Sequence, residues 1–290
     1  MANQMSAREK AGMFLASPAF VYMLCFFAIP ALLLFVYSFF RSKAFVPIPD
    51  FVLDNYARAL SAWGFWKVMG LSLEIGLATA ALSVAASFPI AWYIAYRARS
   101  STLLYLILAS WITSYLVRII GWRMILGSNG FVNTTLQQTG LIKEPLEFIL
   151  FNPVAVVIAL VHIYMPLTLL MLLSALRDVK TDYLEAARDL GAGQVTTLLK
   201  VTIPMIHRGL VSAFMFTLVL AAGDYIAPQL LGGTNSMTVG LLISNQFQKT
   251  GNWPFGAAMT FVTFGVFVAV YLVFVLLLRL LRLAPKVRYH

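Results

Sequence analysis

Six long apolar runs separated by short polar segments constrain this chain more than any other feature. They cover roughly 11–40, 68–95, 103–126, 152–176, 209–231 and 255–283. A helix needs about 20 largely apolar residues to cross a bilayer, and each run is long enough. In lipid every backbone polar group must be satisfied within the protein, so helices are expected. Closed barrels show shorter segments of alternating polarity instead. Only 11% of the residues are charged, against about 25% in soluble domains, too few to solvate a globular surface. The expectation is an all-α integral membrane fold: six transmembrane helices forming one domain over 1–290, placed in the lipid bilayer.

The first run follows Arg8 and Lys10 in the manner of a signal peptide, but it is much longer than the ~7–15 residues of a signal core. It is therefore read as a span. Pro18, Pro30, Pro89 and Pro166 fall inside runs, where membrane helices accept them as kinks. The single cysteine, Cys25, cannot form an intrachain disulfide and says little about redox compartment.

A net charge of +10 raises nucleic-acid binding, yet the basic residues lie in short segments between apolar runs and form no basic domain. Membrane topology explains them instead. With both termini inside, the inner segments hold Arg8, Lys10, Arg97, Arg99, Arg177, Lys180, Arg188, Lys200, Arg208, Arg279, Arg282, Lys286 and Arg288. The outer segments hold Arg41, Lys43, Arg58, Lys67, Lys143 and Lys249. Thirteen against six places both ends in the cytoplasm by the positive-inside rule.

The longest inner loop, about 177–208, carries strong local signals. Asp182 is suited to an N-cap, with Glu185 three residues later completing a capping-box-like start. Gly191 suits the left-handed position after a helix end. A second helical segment from about Gln194 runs towards Pro204. A plain connection needs no such structure.

Glu185-Ala186-Ala187, then Gly191, then Val201-Thr202-Ile203-Pro204 resembles the cytoplasmic signature of binding-protein-dependent ABC importer permeases. That signature reads Glu-Ala-Ala, three residues, Gly, nine residues, Ile-x-Leu-Pro, and Val201 and Ile203 keep its apolar character. The resemblance implies that the short helix is a coupling helix seated in a cleft of the ATPase subunit, with Glu185, Ala186, Ala187, Gly191 and Pro204 as its coupling residues. Residues 111–118, Trp122, 125–127, 130–133, 225–233 and 252–258 are similar to the spermidine/putrescine-type subfamily. This implies a type I importer permease with the MetI-like fold in a bacterial inner membrane. It also implies an ATPase dimer that binds ATP and Mg2+, a second permease, expected as a paralogue, and a periplasmic solute-binding protein. Polyamine is the expected cargo; opines, aminophosphonates and other small solutes are carried in the same subfamily.

No G-x-x-x-x-G-K-[ST] phosphate loop occurs, so neither a cofactor site nor covalent chemistry is expected in this chain. His162, His207 and His290 are scattered and form no metal-ligand cluster. No inverted repeat of the kind found in many secondary transporters is visible, which weighs against a stand-alone carrier.

Ionisable groups within spans cost at least ~2.5–3.5 kcal/mol on insertion scales, so each needs a partner or a role. They are Glu74 in the second run, Arg118 and Arg123 in the third, and Asp224 in the fifth. Trp111, Tyr115, Arg118 and Trp122 fall at i, i+4, i+7 and i+11, which is one face of a helix. Two arrangements satisfy these residues. In one, Asp224, Glu74, the aromatic face and Tyr225 line a pathway for a cation, aided by cation–π contacts of ~0.5–2 kcal/mol. In the other, Glu74 or Asp224 pairs with Arg118 or Arg123 and the tryptophans form an interfacial belt.

Overall fold

The protein is seen here as a computed structural model that describes residues 15, 17–43, 45–146 and 149–280. Arg8, Lys10, Arg282, Lys286 and Arg288, which enter the charge count above, lie outside the described residues, as do His290, the start of the first run and the end of the last. The chain divides into two compact units, 1–62 with 243–264 and 63–242 with 265–290.

In the first unit, helix α1 (Ser17–Tyr37) contains a π-turn at Leu24–Ala28, just before Pro30. A small antiparallel hairpin of β1 (Arg41–Lys43) and β2 (Val46–Ile48) follows, then α2 (Asp54–Ser61). Asn55 Nδ2 ties α2 to the end of α1 by donating to the carbonyls of Ser38 and Phe40 at 2.9 and 2.8 Å. Arg41 bridges Asp50 and Asp54, both at 3.2 Å. Aromatic edges complete the unit, among them Phe35 against Phe261.

The second unit is built on three long helices: α3 (Trp63–Tyr96), α7 (Pro153–Arg177) and α9 (Gln194–Gly223). Without a hydrophobic driving force between helices in lipid, close packing depends on small residues and interhelical hydrogen bonds. Both are present. A Cβ on Gly76 of α3 would lie 2.8 Å from Ala222 Cβ and from the Leu218 carbonyl of α9, and Gly209 of α9 sits directly on Ala175 of α7. Thr168 and Thr217 share a 2.8 Å hydrogen bond between α7 and α9. Ser87 of α3 donates to the Met165 carbonyl beside Pro166.

Between α3 and α7 run α4 (Thr102–Ile112), α5 (Tyr115–Leu126) and α6 (Phe131–Gln138). After α7 come the short α8 (Thr181–Asp189) and then α9; α10 (Ile226–Leu231) and α11 (Val239–Gln248) follow. The last helix, α12 (Trp253–Leu280), begins in the first unit and ends in the second, where Phe274 stacks on Phe214 of α9 with centroids 5.4 Å apart.

Among the described residues five helices are long and apolar enough to cross a membrane, and a bent pair, α4 with the helices after it, makes a sixth crossing if it counts as one span. The third run is not a single helix. It bends by 90° between α4 and α5, because Thr113 and Ser114 adopt extended backbone, with ψ 137° at both. Trp111 therefore stands on α4, and the single face proposed for Trp111, Tyr115, Arg118 and Trp122 does not exist. The fifth span also differs. It begins at Gln194, continuous with the second loop segment through a π-turn at Leu198–Thr202, and Pro204 occupies the first turn after that π-turn. It ends at Gly223, since the break falls at Asp224-Tyr225. Pro228 lies within α10, whose first turn needs no donor from it.

Candidate functional site

Two places in the second unit gather the residues of interest. The first is α8, the helix of the Glu-Ala-Ala motif. Leu184 and Ala187 are buried, and Leu184 joins Ile94, Leu176, Val179 and Ile206 in one apolar cluster. Glu185, Ala186, Tyr183 and Asp189 are exposed. One face thus fixes the helix to the bundle and the other is presented outward.

Asp182 is not the N-cap. That position is Lys180, which makes no side-chain cap, and the helix starts two residues earlier than that cap would set it, at Thr181, with buried Val179 as its anchor. Asp182 instead lies in the first turn, where a negative charge favours the helix dipole. The C-terminal signal holds. Gly191 has φ +79°, its N–H donates to the Arg188 carbonyl at 2.8 Å, and the Ala192 N–H donates to Ala187 at 3.0 Å. This is a Schellman closure. Nothing lies within 4 Å of a Cβ built on Gly191, so backbone conformation alone requires glycine. After the turn, α9 begins at Gln194 and Pro204 is half-buried at its π-turn.

The second place is the break after α9. The Asp224 carboxylate receives Oδ2 bonds from the hydroxyls of Tyr115 on α5 and Tyr164 on α7, the latter at 3.2 Å. Its Oδ1 accepts the Ala227 N–H at 2.9 Å, satisfying an otherwise orphan donor in the first turn of α10. Its carbonyl accepts from Thr238 Oγ1 at 2.9 Å, and next to it the Val239 N–H donates to Ser72 Oγ at 2.7 Å. A Cβ at Gly240 would strike the Gly223 carbonyl, so the chain before α11 presses directly on the break. Four elements meet at one carboxylate.

The pairing of Asp224 or Glu74 with Arg118 or Arg123 is absent among the described residues. Two tyrosine hydroxyls occupy Asp224 Oδ2 instead. Arg118 Nη1 donates to the Ile163 carbonyl at 3.5 Å, and its Nε is buried without a partner among the described residues. Arg123 lies 5.9 Å from the Phe151 ring centroid. Trp122 donates to His162 Nδ1 at 3.1 Å, which accounts for that histidine as structural.

Glu74 is set apart from this cluster. It is exposed on α3, without a hydrogen bond or ion pair among the described residues, and lines a cleft of about 630 Å3 with Trp66, Lys67, Gly70, Asn235 and Met237. Trp111 and Tyr225 are 44% and 38% exposed and make no contact with Asp224 in the described hydrogen bonds. Sequence reasoning missed Tyr164 and Thr238. Tyr164 signals only a hydroxyl within an apolar helix and Thr238 only a hydroxyl just ahead of one, and neither names a partner.

The chain matches the family of binding-protein-dependent transport system inner membrane components over residues 5–289. It belongs to this family. The spermidine/putrescine transport system permease protein PotB of Escherichia coli (strain K12) is 33% identical over 241 residues, 82% of this chain and 86% of PotB. A bacterial alginate ABC transporter, solved with a periplasmic protein carrying an alginate pentasaccharide, superposes with a TM-score of 0.72 at 14% identity. That match covers 91% of this chain and 92% of the other. The MetNI methionine ABC transporter, in inward-facing form, gives 0.52 at 16% identity over 73% of this chain and 91% of the other. The fold is that of a type I importer permease. The chain is an inner-membrane transport subunit rather than an enzyme. Permeases of this family work with an ATPase and a periplasmic binding protein, as in the alginate complex.

Proposed function

We propose that this chain is one of two permease subunits of a polyamine importer, the second a paralogue, and that it works as one transmembrane domain with both termini in the cytoplasm. The similarity to PotB over most of both chains carries the cargo. An ATPase dimer, binding ATP and Mg2+, docks on the outward face of α8, where Glu185 and Ala186 are exposed and Ala187 lets the helix lie close to the bundle. Gly191 turns the chain so that closure of the ATPases is delivered to α9. A periplasmic binding protein supplies the solute at the other side.

Asp224, held by Tyr115 and Tyr164 where α9 breaks, is the charge in the pathway that favours an amine; Glu74, Trp66 and Lys67 line a second stretch of it. Trp111, Trp122 and Tyr225 contribute aromatic surface. The test is uptake of labelled spermidine and putrescine by cells carrying the chain with its ATPase, second permease and binding protein. Glu185→Lys and Gly191→Pro are expected to abolish uptake while membrane insertion remains. Normal uptake by a well-expressed Gly191→Pro protein, or uptake by the chain without any ATPase, would defeat this assignment.

One observation favours a second cargo. Arg118 keeps a buried Nε without a partner, a cost that a ligand anion would relieve. A solute with both an amine and an anionic group, such as an opine or an aminophosphonate, meets Asp224 and Arg118 together. Competition of labelled spermidine uptake by such a compound separates the two readings.

A further inference from the structure

We infer that the chain holds an anionic phospholipid in a two-chambered cavity behind α8. The first chamber, about 250 Å3, is lined by Trp92, Tyr96 and Arg97 at the end of α3, by Leu184 and Arg188 of α8, and by the start of α9. Neither guanidinium has a hydrogen bond or ion pair among the described residues, and Arg97 rests over the Trp92 ring at 5.9 Å. The second chamber, about 240 Å3, is lined by Phe88, Pro89, Val195 and Leu198 and shares Trp92, Gln194 and Leu198 with the first. An apolar chamber thus opens into one bearing two unmatched positive charges.

The order of groups along α3 matches the profile of a membrane interface. From Phe88 to Arg97 the helix rises about 13 Å, passing from apolar side chains through Trp92 and Tyr96 to a cation, the sequence in which hydrocarbon gives way to headgroups. Basic pockets between spanning helices take phospholipid headgroups. Here the phosphate faces Arg97 and Arg188, the glycerol lies along Trp92, and an acyl chain enters the chamber beside Phe88 and Pro89.

An acidic segment of the ATPase is the competing occupant, since Arg97 and Arg188 are both exposed, but it would account for the charged chamber alone. Phe88 and Pro89 belong to a spanning helix, beyond the reach of a soluble partner. A lipid seated there bears on α8 and the start of α9 together, and so on the elements that carry coupling.

The chain, expressed with its partner subunits, is purified in mild detergent, and phospholipid retained per complex is counted by native mass spectrometry after add-back of phosphatidylglycerol or phosphatidylcholine. The wild type should retain phosphatidylglycerol selectively. Arg97→Gln and Arg188→Gln should each lower retention about fivefold, which corresponds to ~1 kcal/mol per cation, while Arg97→Lys and Arg188→Lys keep most of it. Val195→Trp, which fills the apolar chamber and leaves both charges, should lower it as well. Equal retention in the glutamine variants would overturn the inference. So would undiminished retention in Val195→Trp, displacement of the lipid by inorganic phosphate, or loss of the ATPase subunit from Arg188→Gln with lipid unchanged.

Discussion

Replacing Asp224 by alanine should loosen the bundle at one point, and the size of the effect follows from the bonds removed. The Ala227 N–H loses its capping acceptor, worth about 1 kcal/mol. Two tyrosine hydroxyls lose a charged acceptor at about 1.5–3 kcal/mol each. The lower end applies because Tyr115, Tyr164 and Asp224 are half-buried and water can reach part of the cluster. The sum is about 4 kcal/mol, or roughly 8–16 °C at 2–4 °C per kcal/mol for a domain of this size. Asp224→Asn keeps an oxygen for Ala227 and an amide that can donate to a tyrosine, so it should cost about 1 kcal/mol. Thermal unfolding in detergent, followed by loss of the monodisperse complex, measures both. Tyr164→Phe should be destabilising in the native background and nearly silent in Asp224→Ala, since residues in one network are not additive. If alanine and asparagine behave alike, or if Arg118→Gln rescues Asp224→Ala, the carboxylate is held by something other than the tyrosines and this reasoning fails.

Gly191→Ala should destabilise α8 by about 1 kcal/mol and lower uptake partly, because φ +79° is disfavoured for a Cβ-bearing residue; uptake indistinguishable from wild type would count against the closure. Gly76→Leu should prevent α3 and α9 from meeting, at a cost of several kcal/mol since the space is taken by Ala222 and the Leu218 carbonyl. Poor yield of assembled protein checks it, and normal yield contradicts the packing. A topology reporter fused near Thr139 should read the outer side if α4 and α5 together complete one crossing, and a cytoplasmic reading would reduce the chain to five crossings.

Hydropathy made most spans legible because about 20 consecutive apolar residues have few other uses. It could not show the 90° bend after Ile112, because Thr113 and Ser114 neither interrupt the apolar run nor carry a proline. Nor could it show that the fifth span starts at Gln194, since a π-turn leaves no mark in composition. The Asp224 site was half legible. An acid in a span announces itself by its cost, but its partners sit 109 and 60 residues away in sequence, and only packing brings them together. Expecting arginine partners was reasonable from charge alone. Tyr115 and Tyr164 satisfy the carboxylate without burying a second ion, which avoids another desolvation penalty.

The continuity of α9 from Gln194 to Gly223 makes it a lever. Thirty residues of helix span about 45 Å, so a tilt of about 10° at the α8 end would sweep the Asp224 end through roughly 8 Å. The π-turn at Leu198–Thr202 lies close to the α8 end, so if the proposed docking drives that end, the long arm beyond the turn remains a stiff helix. A small angular input at the loop would then be magnified where the helix breaks, on the carboxylate that joins three other helices.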